Sequence, residues 1–204
     1  MESTAMPQFQ GEGLRKAGIA SGLGVFQGTG GFLDPDKIAM EFGLRAGMNV
    51  ADFGSGAGYF TILMAKLVGE TGKVTALDVQ ETALDSVIIK AKTANIENIQ
   101  IVRADLEVVG SSGLANESQD LALLANILFQ SNKKELIIRE GVRVLKNGGS
   151  LIIIDWIKSA NGFGPPDNLR LDKEDMKSVA VGEGLVFEKN IDAGTFHYGI
   201  VFRK

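Results

Sequence analysis

At 204 residues, with 45% apolar and 23% charged side chains, the chain has the balance of an ordinary globular protein and can bury one substantial core without covalent staples. It contains no cysteine, which excludes disulfides, thiolate nucleophiles and cysteine-ligated metals and fits a reducing, cytoplasmic setting. A net charge of −4, with no basic cluster beyond Lys133-Lys134, argues against nucleic acid as a partner, and no apolar run approaches the length that spans a membrane.

The start, Met1-Glu2-Ser3-Thr4, lacks the basic and apolar regions of a signal peptide. The first 33 residues hold eight glycines and few periodic apolar positions. They read as a Gly-rich arm, either disordered or mobile, in which Phe26 and Phe32 could fold over a bound ligand. The main domain is expected over residues 34–204. Asp34-Pro35-Asp36 reads as a helix start, with Asp34 as N-cap and Pro35 in the first turn.

A first buried strand near 49–53 runs through a glycine turn into a helix over 59–68. A second strand near 73–78 precedes a helix over 81–94, whose Leu84, Val87, Ile88 and Ala91 share one face. After a third strand near 99–103 comes the Gly/Ser-rich connection Gly110-Ser111-Ser112-Gly113. A fourth strand at 120–125 leads to a helix over 131–145, which Asn147-Gly148-Gly149 is expected to end. The fifth strand is Ser150–Trp156; a helix near 172–183 and two strands near 185–190 and 196–203 follow. Near-continuous apolar strands alternating with helices predict a parallel sheet covered on both faces. The closing pair, joined by Asp192-Ala193-Gly194, reads as a hairpin that makes the last strand antiparallel.

The chemistry is concentrated in Asp52-x-Gly54-x-Gly56-x-Gly58. Glycines at a strand-to-helix turn let a ligand approach the backbone and leave helix N-terminal N–H groups open to an anion. Asp52 adds a carboxylate that can accept from an ammonium group, so the turn suits a zwitterion. A dinucleotide fingerprint needs Gly or Ala at the sixth position counted from Gly54, where this chain has Tyr59. That counts against a nicotinamide dehydrogenase. Asp78, at the end of the second strand, stands where an acid can bind both ribose hydroxyls of a nucleoside.

The acid and its three alternate glycines, with acids ending the next two strands, resemble the class I S-adenosylmethionine-dependent methyltransferases. The resemblance spans roughly 34–204 and implies a Rossmann-like α/β/α sandwich with a seven-stranded, mostly parallel sheet. It implies S-adenosylmethionine held by Asp52, Gly54, Ser55, Gly56 and Gly58 at the methionine end and by Asp78 and Val79 at the ribose. Asp105 would meet the adenine amino group, with Ala104 beside it and Leu106 over the base; Asn126 completes the set. The entry Leu44-Arg45-Ala46-Gly47-Met48-Asn49-Val50-Ala51-Asp52-Phe53-Gly54 is similar to that of the ubiquinone/menaquinone-biosynthesis enzymes, many of which carry Cys where this chain has Ser55.

A small-molecule acceptor is expected beyond the carboxyl ends of the strands. Candidates there are Phe129, Trp156, Lys158, Asp192 and Tyr198, with Gly162–Asp167 as a cover or a substrate wall. His197, the sole histidine, is the candidate general base, against its bland role as a structural strand residue. The chain departs from amino-methyltransferases of nucleic acids, since Asn126-Ile127-Leu128-Phe129 lacks their two prolines. It departs from magnesium-dependent catechol-type enzymes at Asn126 and Asp155-Trp156, so no metal site is expected. Protein lysine methylation and a non-catalytic, cofactor-binding sensor or scaffold are the alternatives.

Overall fold

Alternate residues of the central strands belong to opposite sides of one sheet, and that alternation organises the molecule. The computed structural model describes residues 33–158 and 164–204; residues 1–32 of the expected arm, with Phe26 and Phe32, and Gly162-Phe163 of the expected wall lie outside them. The strands are β1 (Asn49–Phe53), β2 (Lys73–Asp78), β3 (Ile99–Arg103), β4 (Gln119–Ala125), β5 (Leu145–Trp156), β6 (Val186–Ile191) and β7 (His197–Arg203). The helices are α1 (Pro35–Ala39), α2 (Tyr59–Val68), α3 (Glu81–Thr93), α4 (Lys134–Val144) and α5 (Lys173–Gly182). The seven strands lie in the order β3-β2-β1-β4-β5-β7-β6. Only β7 opposes its neighbours, pairing antiparallel with both β5 and β6. The last strand of the chain is therefore antiparallel, as expected, yet it is inserted inside the sheet and leaves β6 at the edge.

Leu151 and Ile153 pack into a core with Phe53, Leu124, Ile137, Ile138 and Phe202. Ile152 and Ile154, one residue out of phase, pack on the other face with Val50, Phe60, Met64, Leu123 and Val201. Period-two alternation with both sets apolar is what a sheet covered on both faces demands. The result is the three-layer α/β/α sandwich. Among the described residues no helix is long and apolar enough to cross a membrane.

Local signals account for most boundaries. The Asp34 side chain accepts from the Lys37 N–H at 3.3 Å, with Pro35 at the first position of α1. The Asp172 carboxylate caps α5 by accepting from Glu174 N–H at 3.1 Å. The α4–β5 junction departs from expectation. The helix is shorter at both ends, and its last residue is Val144; the Asn147-Gly148-Gly149 expected to stop it lies inside β5. Gly148 N–H donates to Lys204 O at 2.9 Å and Lys204 N–H to Gly149 O at 3.0 Å. These glycines thus pair with the end of the chain, in a stretch where the β4–β5 register is irregular.

Candidate functional site

Strand order reverses between β1 and β4, and ligands of open α/β sheets bind at such a point, beyond the strands' carboxyl ends. The glycine turn opens there. Gly54 and Ser55 N–H both donate to Leu77 O, at 2.8 and 2.9 Å, tying the turn to the end of β2. Gly54, Gly56 and Gly58 all have positive φ, 74°, 51° and 80°, but their neighbourhoods differ. A Cβ on Gly54 would meet Ile127 at 2.6 Å and one on Gly58 would meet Val87 at 2.8 Å. Around Gly56 nothing lies within 4 Å. Two glycines are needed for close packing, while the third presents bare backbone to open space.

The acids stand around this turn. Asp52 is 2% exposed and accepts from the Thr61 hydroxyl at 2.5 Å. Burial pushes its carboxyl up to about 7, with the Asp78 charge adding to the rise and the Thr61 hydrogen bond opposing it. Asp78 accepts from Gly56 N–H and from Gln80 N–H, both at 2.9 Å, so its carboxylate is oriented by the turn it faces. Asp105 follows β3, and its side chain accepts from Glu107 N–H at 3.0 Å. Ala104 and Leu106 beside it are buried, while Val79 is exposed. At the end of β4, Asn126 is left-handed at φ 56°, held by its N–H to Ile154 O at 2.8 Å and by Gln130 Nε2 on its carbonyl at 2.9 Å. The Oδ1 of Asn126 and the hydroxyl of Ser55 are buried without a hydrogen-bond partner.

One open cleft of about 2200 Å³ is lined by all the residues expected at the cofactor, from Asp52 and the glycine turn through Asp78 and Val79 to Ala104–Leu106 and Asn126. Asp192 lines it as well, opposite α1. Four of the expected acceptor residues and the candidate base are not on that lining. His197 is 4% exposed, packs on Trp156 with ring centroids 4.1 Å apart and planes tilted by 43°, and has no hydrogen-bond partner on either nitrogen. Burial, then the nearby Arg170 charge, depress it to about 4, so it is neutral near pH 7. Tyr198 points into the core on the opposite face, since neighbours on β7 alternate; Phe129 donates its N–H to buried Asp155 at 3.1 Å. Trp156 packs on the histidine, and Lys158 is solvent-exposed. All five come from segments near the strand ends, but the cleft is lined instead from the ends of β1, β2, β3 and β4 and from the β6–β7 connection.

Sequence reading missed Thr61 and Lys90. Thr61, in the first turn of α2, carries no signal beyond its place after the glycines. Lys90, also on the cleft lining, donates to Ala57 O at 2.7 Å and sits 3.7 Å over the Tyr59 ring, a clip on the turn that no spacing announces.

A profile of the methyltransferase-domain family matches residues 44–189. The chain belongs to that family. The matched residues run from just before β1 into β6, so they include the glycine turn, the acid that ends β2 and the acid that follows β3. A solved S-adenosylmethionine-dependent methyltransferase from Aquifex aeolicus is 28% identical, with a TM-score of 0.76 over 84% of this chain and 89% of that one. A demethylmenaquinone methyltransferase of Staphylococcus aureus is 31% identical over 119 residues, 58% of this chain and 47% of the relative. The human arsenite methyltransferase is 30% identical over 131 residues, 61% of this chain and 34% of the relative. This methyltransferase domain thus spans about half the length of the first curated relative and a third of the second. The family and its fold neighbours imply S-adenosylmethionine as cofactor. The residues fit it: Ser55 Oγ and Asn126 Oδ1 are buried and unpartnered on residues that line the cleft, and the space beside Gly56 is what a side chain there would fill.

Proposed function

We propose that the chain transfers a methyl group from S-adenosylmethionine to a small-molecule acceptor. The observation that carries this reading is the convergence of three acids, Asp52, Asp78 and Asp105, on one cleft around the bare backbone of Gly56. When bound, S-adenosylmethionine supplies a methyl group on a sulfonium, which a nucleophile can displace directly. Asp52 would hold the cofactor's ammonium group, its burial making that charge pairing strong. Asp78, already oriented by two backbone donors, would accept from the ribose hydroxyls. Asp105 would accept from the adenine amino group, and Leu106 would cover the base.

The far end of the cleft, between α1 and the β6–β7 connection, offers Leu33, Pro35 and Ile38 beside Asp34, Asp36 and Asp192. That mixture of apolar wall and carboxylates suits a modest-sized organic acceptor. With His197 off the lining, alignment of the reactants carries the rate, and the acceptors favoured are those already nucleophilic near neutral pH. The names of the curated relatives, which include a demethylmenaquinone methyltransferase and an arsenite methyltransferase, support a small acceptor.

Calorimetry with S-adenosylhomocysteine, followed by methyl transfer from labelled cofactor to a small-molecule extract, tests the proposal. Binding with labelled low-mass product is expected. Binding without turnover on any acceptor would turn the reading toward a sensor, and transfer confined to lysine peptides would turn it toward protein methylation.

A further inference from the structure

The β3–β4 connection carries Asp105 and Leu106 to the cleft without any helix to support it. Its support comes from a charge buried on α4. Glu140 is fully buried. Its Oε2 accepts from Gly110 N–H at 2.7 Å and from Arg143 Nε at 2.8 Å. Its Oε1 accepts from Arg143 Nη2 at 2.7 Å and from the Ser112 hydroxyl. Arg143 reaches farther along the same connection, donating to Ser112 Oγ at 3.1 Å and to Asn116 Oδ1 at 2.6 Å. A carboxylate with four donors and a forked guanidinium partner is a stiff anchor, whereas the same charge without its partners would be strongly destabilising.

The anchor is linked to the base-recognition end of the cleft by short steps. The Ser111 hydroxyl, between the two anchored residues, donates to Asp105 O at 2.5 Å, and Val108 N–H donates to the same oxygen at 3.0 Å. Ala104 N–H on the other side donates to Asp78 O at 3.0 Å. Asp105 is therefore fixed from β2 on one flank and from α4 on the other.

We infer that Glu140, with Arg143, is a positioning residue for nucleobase specificity: it touches no cofactor, but holds the 105–113 segment so that Asp105 meets an exocyclic amino group. The inference rests on the cofactor reading above. Adenine presents an amino group at that position and hypoxanthine a carbonyl, which a carboxylate rejects, so S-adenosylhomocysteine and S-inosylhomocysteine report the alignment directly.

Affinities of both compounds for the whole chain, measured by calorimetry, give a preference ratio for each variant. Wild type is expected to favour the adenosyl compound strongly. Glu140→Gln, which keeps the shape and removes the charge, is expected to lower that ratio about tenfold, the worth of one well-placed hydrogen bond. Ser112→Ala, which removes one donor and leaves the ion pair, is expected to lower it less. A supporting role in stability alone would weaken both ligands alike; an unchanged ratio in folded Glu140→Gln overturns the inference. Should that variant fail to fold, a wild-type ratio in Ser112→Ala overturns it equally. Wild-type protein that binds neither compound would sink the cofactor reading itself, and wild type that binds both equally would remove Asp105 from base recognition.

Discussion

Asp52 is an acid kept out of water at the edge of a ligand cleft, and its ionisation is linked to both folding and binding. Its folded pKa, about 7, lies above the ordinary value of 3.8, chiefly because burial disfavours the charge. The folded state therefore binds this proton more tightly than the unfolded chain. The Asp52 contribution to stability is greatest below the unfolded value and declines as pH rises from about 4 through about 7. An ammonium group pairs only with the ionised form, so cofactor affinity should move the other way. S-adenosylhomocysteine is expected to bind more tightly as pH rises from 5.5 to 8, levelling above about 7, with proton release on binding below that point. Calorimetry in buffers of different ionisation enthalpy checks this, and Asp52→Asn should flatten the profile. The glycines offer a second residue-level test. Gly56→Ala puts its Cβ into open space at φ 51°, so the cost to folding is only the left-handed conformation, about 1–2 kcal/mol. Ligand affinity should nonetheless fall sharply. Gly54→Ala drives a Cβ to 2.6 Å from Ile127 and should lose more stability than Gly56→Ala. Chemical denaturation beside calorimetry separates the two, and equal stability losses would contradict the division of roles.

At the scale of elements, legibility followed the range of the interactions involved. The spans of β1, α2 and β2 were readable because apolar runs and glycine breaks are local, and Asp34-Pro35 announces α1 for the same reason. The end of α4 was not. Gly148 and Gly149 look like a helix stop, but their partner is Lys204, more than fifty residues away. Nor does any local pattern say that β7 inserts between β5 and β6, or that Glu140 reaches across to Gly110. The residues that line the cleft were legible because one motif and two strand ends sit at a switch point. His197 and Tyr198 lie off this lining, because alternation assigns a face without saying how far the cleft extends. One further element-level feature is testable: α4 approaches the sheet at Gly141, where a Cβ would stand 2.7 Å from Leu151 Cδ1. Gly141→Leu should overpack this contact and cost about 1–3 kcal/mol in urea denaturation. Gly141→Ala should fall much closer to wild type, because gained helix propensity, about 1 kcal/mol, offsets the crowding.

Across the whole molecule, the cleft draws residues from both halves of the sheet: the ends of β2 and β3 on one side of β1, and the end of β4 on the other. A ligand that bridges these groups binds the folded sheet and nothing in the unfolded chain, so its binding energy appears as global stability. At a free concentration of S-adenosylhomocysteine about 100 times its Kd, the gain is about 2.7 kcal/mol by mass action. For a chain of this size that corresponds to a rise in Tm of roughly 5–10 °C. The rise should grow logarithmically with ligand and nearly vanish in Gly56→Ala, which keeps the fold but fills the approach to the backbone. NAD at the same concentration should leave Tm unmoved, because Tyr59 stands where the dinucleotide turn requires a small residue. Thermal unfolding followed by circular dichroism measures all three. A stabilisation by NAD that matches or exceeds that by S-adenosylhomocysteine would mean that the glycine turn holds a pyrophosphate and that the acids around it have other work.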